Sequence, residues 1–309
     1  MKGTVIKNTG SSFLVKTDQG PVLDCKIKGN FRIRGLRSTS PVAIGDRVTV
    51  NQSDSIPFIS EVDERRNYIV RKPTNLSKQL HIIAANIDVA LLVVTVNHPQ
   101  TNLVFVDRFL ATAQAYRVPA ALLFNKTDLY EGAEREYQEA VCQLYTGIGY
   151  PCFRLSALTG EGIAGLRAFV EGKMCLLSGN SGVGKSSLLN ALCPGARAKT
   201  GAISDSHDKG MHTTSFSEMF ELSENTYIID TPGIKGFNTV DMKPEEVGHY
   251  FPEIFRESSH CRYGNCTHRH EPGCAVLQAL AEHRLSESRY NSYLSILEDF
   301  GEGKYRSEF

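Results

Sequence analysis

Residues 179–186 read GNSGVGKS, the pattern G-x-x-x-x-G-K-[ST] that joins a buried strand to a helix in phosphate-binding proteins. Ahead of it runs KMCLLSG (173–179), a strand pattern, and behind it KSSLLNALC (185–193), with leucines at helical spacing. Glycines there let the backbone curl until its N–H groups point at phosphate oxygens, with the helix N-terminus behind them. Lys185 is placed to reach the β- and γ-phosphates, and the Ser186 hydroxyl to sit on Mg²⁺. The candidate phosphate-binding residues are therefore Gly179, Asn180, Ser181, Gly182, Val183, Gly184, Lys185, Ser186 and the adjoining Ser187. A glycine-rich turn without a ligand is the bland alternative, and the strand-then-helix context counts against it.

Working outward, the same alternation continues on the N-terminal side. Strand VALLVVTV (89–96) leads to helix LVFVDRFLATAQAY (103–116), then strand PAALLF (119–124), helix EREYQEAVCQLY (134–145), strand PCFRLSAL (151–158) and helix GIAGLRAFV (162–170). Continuous apolar strands alternating with helices predict a parallel sheet covered on both faces. Such a sheet binds ligands beyond the carboxyl ends of its strands, and the polar motifs fall there.

Asn125-Lys126-Thr127-Asp128 follows strand 119–124. A carboxylate at Asp128 can accept both the N1–H and the 2-amino donors of guanine. Adenine offers an acceptor at N1 and no 2-amino group, so the mismatch favours GTP over ATP. Asn125 would brace the loop, the Lys126 stem would cover a ring face, and Thr127 completes the turn. Ser156-Ala157-Leu158 ends strand 151–158, where a backbone N–H can donate to guanine O6. Asp230-Thr231-Pro232-Gly233 ends strand TYIID (226–230), placing Asp230 on the Mg²⁺ shell and the Gly233 N–H at the γ-phosphate. Either Thr213 or Thr214, in the segment 201–215, would complete that shell. The order is unusual: NKTD and SAL come first, then the P-loop, the Thr pair and DTPG. A circular permutation keeps the spatial site while moving the termini.

The first 70 residues read differently. Short alternating segments (GTVIKN, SFLVKT, PVLDCKIK, DRVTVN, PFISEV) broken by turn residues predict five strands and a small closed barrel of OB type. Residues 1–72 carry 13 Lys+Arg against 7 Asp+Glu, although the chain of 309 residues is neutral overall. Lys26, Lys28, Arg32, Arg34 and Arg37 surround Phe31, a combination suited to phosphate contacts and base stacking; a solvated face around a core Phe31 is the alternative. No apolar opening segment resembles a signal peptide, and the apolar run Val89–Val94 is too short to span a bilayer. These features, with scattered cysteines, predict a cytoplasmic chain without a membrane partner, and nothing demands more than a monomer.

After Pro244 the sequence turns helical, with apparent helices at 274–283 and 287–300. Between them and the sheet lies Cys261-x4-Cys266-x-His268-x5-Cys274. Three thiolates and an imidazole suit a closed, structural Zn²⁺ site, with His260 and His270 as competing ligands. The predicted organisation is a barrel over 1–72, a permuted α/β P-loop domain over 73–240, and a zinc-binding helical domain over 241–309.

Together, NKTD, SAL, GNSGVGKS, HTTS, DTPG and the Cys/His spacing resemble the ribosome small subunit-dependent GTPase family, RsgA or YjeQ, over essentially the whole chain. The resemblance implies an OB-fold that meets rRNA, a permuted GTPase domain and a zinc domain. It also implies a role in late maturation of the small ribosomal subunit, with GTP hydrolysis to GDP and phosphate stimulated by that subunit. In many GTPases a glutamine after the DxxG motif orients the attacking water; here that position is Ile234, an apolar substitution the family shares. His212 matches the family's switch histidine and is the candidate for positioning that water. A binding module in which GTP merely gates RNA affinity is the alternative function.

Overall fold

The computed structural model describes residues 1–27, 41–52, 56–71, 81–193, 218–230 and 242–301. Five strands open the chain: β1 (Lys2–Asn8), β2 (Phe13–Thr17), β3 (Val22–Ile27), β4 (Arg47–Asn51) and β5 (Phe58–Val62). They pair in the order β1-β2-β3-β5-β4, and β4 returns to β1 to close the ring. The β3–β5 pairing is parallel and the others antiparallel, the arrangement of an OB barrel. Alternation along these strands turns Val5, Val15, Cys25, Val48, Val50 and Ile59 inward as one apolar core.

A two-stranded sheet, β6 (Tyr68–Arg71) with β7 (His81–Ala85), follows the barrel. The central domain then runs through β8 (Val89–Val94), α1 (Leu103–Ala115), β9 (Ala120–Phe124), α2 (Gly132–Ile148), β10 (Cys152–Arg154), α3 (Ile163–Val170), β11 (Met174–Gly179), α4 (Lys185–Leu192), β12 (Glu218–Ser223) and β13 (Thr226–Asp230). The sheet order is β10-β9-β8-β11-β13-β12, parallel except for the antiparallel β12. β11, the strand that feeds the P-loop, therefore lies mid-sheet. All six residues of β8 are buried, as expected of a strand covered on both faces. Leu92, Val94 and Leu176 face one layer with α1 and α2; Leu91, Val93 and Leu177 face the other with α3 and α4.

β1 pairs with the outer strand β12 at Lys7↔Glu218, so barrel and sheet are continuous. The barrel also meets β7 through Gly45, whose φ is +87° and where a Cβ would lie 2.1 Å from the Ala85 carbonyl oxygen; only glycine permits that approach. Beyond Met242 come a 3₁₀ segment (Pro244–Tyr250), α5 (Pro252–Ser258), α6 (Ala275–Ala281) and α7 (Glu287–Gly301). Phe251, Ile254, Val276, Tyr293 and Ile296 form their core, which reaches Ala111 of α1.

Strand β10 is shorter than the 151–158 read from the sequence. Leu155 still bonds Phe124 through its N–H, but Ser156 turns the chain: its carbonyl accepts from Gly160 and its hydroxyl from the Thr159 N–H. Among the described residues no helix is long and apolar enough to cross a membrane.

Candidate nucleotide site and metal centre

The carboxyl ends of the parallel strands gather the motifs along one edge. After β11 the P-loop bends through left-handed positions at Gly182 (φ +82°) and Gly184 (φ +95°). Val183 points down and is buried; Lys185 and Ser186 open α4 half-buried, with Ser181 and Ser187 exposed. The Lys185 ammonium donates to the carbonyls of Gly179 at 2.6 Å and Asn180 at 2.7 Å, lying across the loop. Burial pushes this ammonium below its ordinary value, and the charge of Asp230 opposes that. Asp230 ends β13 in register with Leu177 of β11, near enough for its charge to act on Lys185.

Asn125 is 2% exposed and joins three segments. Its Nδ2 donates to the Val183 carbonyl of the P-loop at 2.9 Å, its Oδ1 accepts from the Ala157 N–H at 3.1 Å, and its own N–H bonds Val94 of β8. Lys126, in the left-handed region at φ +67°, donates from Nζ to the Gly182 carbonyl at 2.8 Å and to the His98 carbonyl. Thr127 is tied to the β10 side: its N–H bonds the Leu155 carbonyl, and its hydroxyl donates to Glu161 at 3.1 Å. Asp128 is exposed, and so is Leu158, at 84%. Ser156 is fully buried with its hydroxyl spent on the turn, and the Ala157 N–H is taken by Asn125.

The loop after β8 is a part of the site that the motifs did not announce. His98 supplies a carbonyl to Lys126, and the Pro99 ring lies where a Cβ on Gly182 would meet it at 3.3 Å. An Asn-His-Pro turn following a fully apolar strand at the ligand edge was the available signal. His212, Thr213, Thr214 and Gly233 lie outside the described residues, as do Thr231, Pro232 and Ile234; so do Lys28, Phe31, Arg32, Arg34 and Arg37. Lys26 is described and exposed, next to the buried Cys25.

In the C-terminal region, one ligand atom from each of Cys261, Cys266, His268 and Cys274 falls within 4.8 Å of the others. The His268 Nδ1 stands 3.6 Å from Cys261 Sγ and 3.5 Å from Cys274 Sγ, and the two sulfurs are 3.9 Å apart. Tetrahedral coordination with metal–sulfur bonds near 2.3 Å and metal–nitrogen bonds near 2.0 Å has edges of roughly 3.8 Å between sulfurs and roughly 3.5 Å from sulfur to nitrogen. The four groups fit such a metal. Burial lowers the His268 pKa, which keeps a lone pair free, and pushes the Cys266 thiol up to about 12, so the charge of a bound cation would have to displace the thiol protons. His260 and His270 both point to solvent. Glu271 holds the loop by accepting from the N–H groups of Thr267, Arg269 and His270. Tyr290 and Tyr293 donate to the carbonyls of His268 at 2.7 Å and Thr267 at 2.8 Å.

A family profile described as RsgA GTPase matches residues 62–240, and one described as RsgA N-terminal domain matches residues 2–56. The chain is 62% identical over 311 aligned positions to the small ribosomal subunit biogenesis GTPase RsgA of Bacteroides fragilis, with 100% of both chains covered. It is 56% identical to the protein of that name from Porphyromonas gingivalis, again over 100% of each. Among solved structures, YjeQ from Thermotoga maritima superposes with a TM-score of 0.80 at 30% identity, covering 100% of this chain and 99% of that one. YloQ, described as a circularly permuted GTPase, gives 0.76 at 26% identity and covers 97% and 95%. With its P-loop at mid-sheet and its NKTD loop earlier in the chain yet hydrogen-bonded to it, this chain belongs to the RsgA GTPase family of circularly permuted GTPases.

Proposed function

We propose that this chain binds GTP between the P-loop and the Asn125–Asp128 turn and hydrolyses it while acting in the maturation of the small ribosomal subunit. The observation that carries this is the Asn125 side chain, which ties the base-reading turn to Val183 of the P-loop and to Ala157. The N–H groups from Gly179 to Ser187 would surround the phosphates, with Lys185 leaving the loop carbonyls for the phosphate oxygens. Asp128 would accept from guanine. The Leu158 N–H would donate to O6, since that of Ala157 is engaged. Ser186 and Asp230 would hold the Mg²⁺ that neutralises charge on the phosphates. By resemblance, Thr213 or Thr214 completes that shell, Gly233 meets the γ-phosphate and His212 positions water. The Cys261, Cys266, His268 and Cys274 site takes Zn²⁺ in a structural role, having no open position.

The division into units over 1–72, 73–240 and 241–309 is supported by the barrel's own apolar core and by that of the C-terminal helices, although the latter takes in Ala111 of α1, and Ile44 and Ile69 pack into the central core. The relatives' name points to the small subunit, and hence to rRNA and the cytoplasm. Hydrolysis of GTP by the purified protein, with and without small ribosomal subunits and with ATP as control, tests the proposal. Strong stimulation by the subunit with GTP alone is expected; equal slow turnover in both conditions would overturn the ribosomal part.

A further inference from the structure

Tyr130 belongs to no motif, yet its hydroxyl lies at the root of the base-reading turn. The residue is 2% exposed. The Val96 N–H donates to its hydroxyl oxygen at 3.1 Å, and the hydroxyl stands 3.1 Å from the Asn125 carbonyl and 3.4 Å from that of Asn97. A phenol carries one proton, so it serves one carbonyl at full strength, and the shorter contact is Asn125. Through its own N–H, Tyr130 also closes the 3₁₀ turn Thr127–Leu129 on the Thr127 carbonyl at 3.3 Å. Asn125 and Tyr130 are thus the two ends of one turn, joined from beneath and fastened to the segment after β8. That segment is itself packed on the P-loop through Lys126, His98 and Pro99.

The turn needs such a fastening. A single 3₁₀ turn has weak internal hydrogen bonding, and its outer residues face solvent, Leu129 being 48% exposed. Packing alone therefore does not fix the height of Asp128 above the sheet edge; hydrogen bonds do, from Asn125 and Lys126 on one side of it and from Thr127 and Tyr130 on the other. Burial raises the Tyr130 pKa, so the phenol remains a donor through the neutral range.

We infer that Tyr130 is a positioning residue for guanine recognition: its hydroxyl holds the Asn125–Asp128 turn against the segment after β8, so that Asp128 meets the base edge in a fixed place. The inference rests on the reading of Asp128 as the carboxylate that accepts from guanine. Removing the hydroxyl leaves the ring and its packing and strands one buried carbonyl and one N–H.

The test is Tyr130→Phe in the full, metal-loaded chain, titrated calorimetrically with GDP and with inosine diphosphate, which lacks only the 2-amino group. The wild type is expected to prefer GDP. In the variant GDP affinity should fall about tenfold, the scale of one buried group left unpaired. Inosine diphosphate should lose less, so the preference shrinks about threefold or more. A melting curve on the same samples separates the alternatives. A lower melting temperature with an unchanged GDP-to-inosine preference would make Tyr130 structural only and overturn the inference. A wild type that binds both nucleotides equally would overturn the reading of Asp128, and the inference with it.

Discussion

At position 184 a methyl group has no room. A Cβ there would sit 2.4 Å from Asn125 Nδ2, on a backbone at φ +95° that side chains rarely adopt. Gly184→Ala should push Asn125 off the Val183 carbonyl and distort the loop together. We expect GTP affinity to fall about 100-fold, at ~1.4 kcal/mol for each tenfold, with zinc content unchanged; retention of wild-type affinity in a filter-binding assay would contradict it. The sequence showed why a glycine is needed for the phosphate curl. It did not show the second reason, because the Asn125–Val183 contact links residues 58 apart. Tyr130 was illegible for a like cause: a tyrosine after a turn looks the same whether it packs or holds a carbonyl. Among the histidines of the Cys/His segment, spacing favoured His268 over His260 and His270, and burial agrees, with His268 at 6% against two exposed rings.

Among the elements, those with a continuous apolar run or a strong helical period were readable: β8, β9, β11 and β13 stand where their runs are, and α1 and α7 follow their stripes. β6, β7 and β12 carry no such signal, since a short strand is defined by its partner and not by its own pattern. The Cys/His loop, residues 261–274, is an element without regular structure. Its shape comes from the Cys/His cluster, the Glu271 bonds and the two tyrosines, and Cys274 caps α6, its sulfur accepting from the Leu277 N–H. Chelation should therefore loosen 260–281 while the sheet stays folded. Hydrogen exchange on the chelated protein should show lost protection confined to that stretch and its contacts on α7. Uniform protection with and without metal would mean the loop is held by the protein alone.

For the whole molecule, the barrel, the sheet and the C-terminal helices must act as one, and contacts between residues far apart in sequence join them. The barrel joins through the β1–β12 pairing and the Lys16–Glu221 ion pair. The C-terminal helices join through Arg289, 1% exposed, which donates to Asp107 of α1 at 2.6 Å and to Glu253 of α5 at 2.6 Å. Tyr145 of α2 donates to the same Asp107 oxygen at 2.6 Å, and the guanidinium stands 4.6 Å from the Phe251 ring centre. Arg289→Ala leaves two carboxylates facing each other without a counter-charge, which costs about 3–5 kcal/mol for a broken buried pair. Urea unfolding should register that loss, whereas breaking the exposed Arg284–Glu257 pair should cost far less; equal effects would deny the joint its weight. The three-part organisation was legible from changes in pattern along the chain; the joints were not, because each is made by residues far apart in sequence. Above all, the permuted order still builds one guanine site, with Asp128 placed to read the base over the P-loop. Its most direct test is Asp128→Asn, assayed for binding of GDP and of xanthosine diphosphate, whose 2-carbonyl accepts where guanine donates. GDP binding should fall at least about 100-fold while xanthosine diphosphate binding rises; unchanged GDP affinity with no gain for xanthosine would show that Asp128 does not read the base.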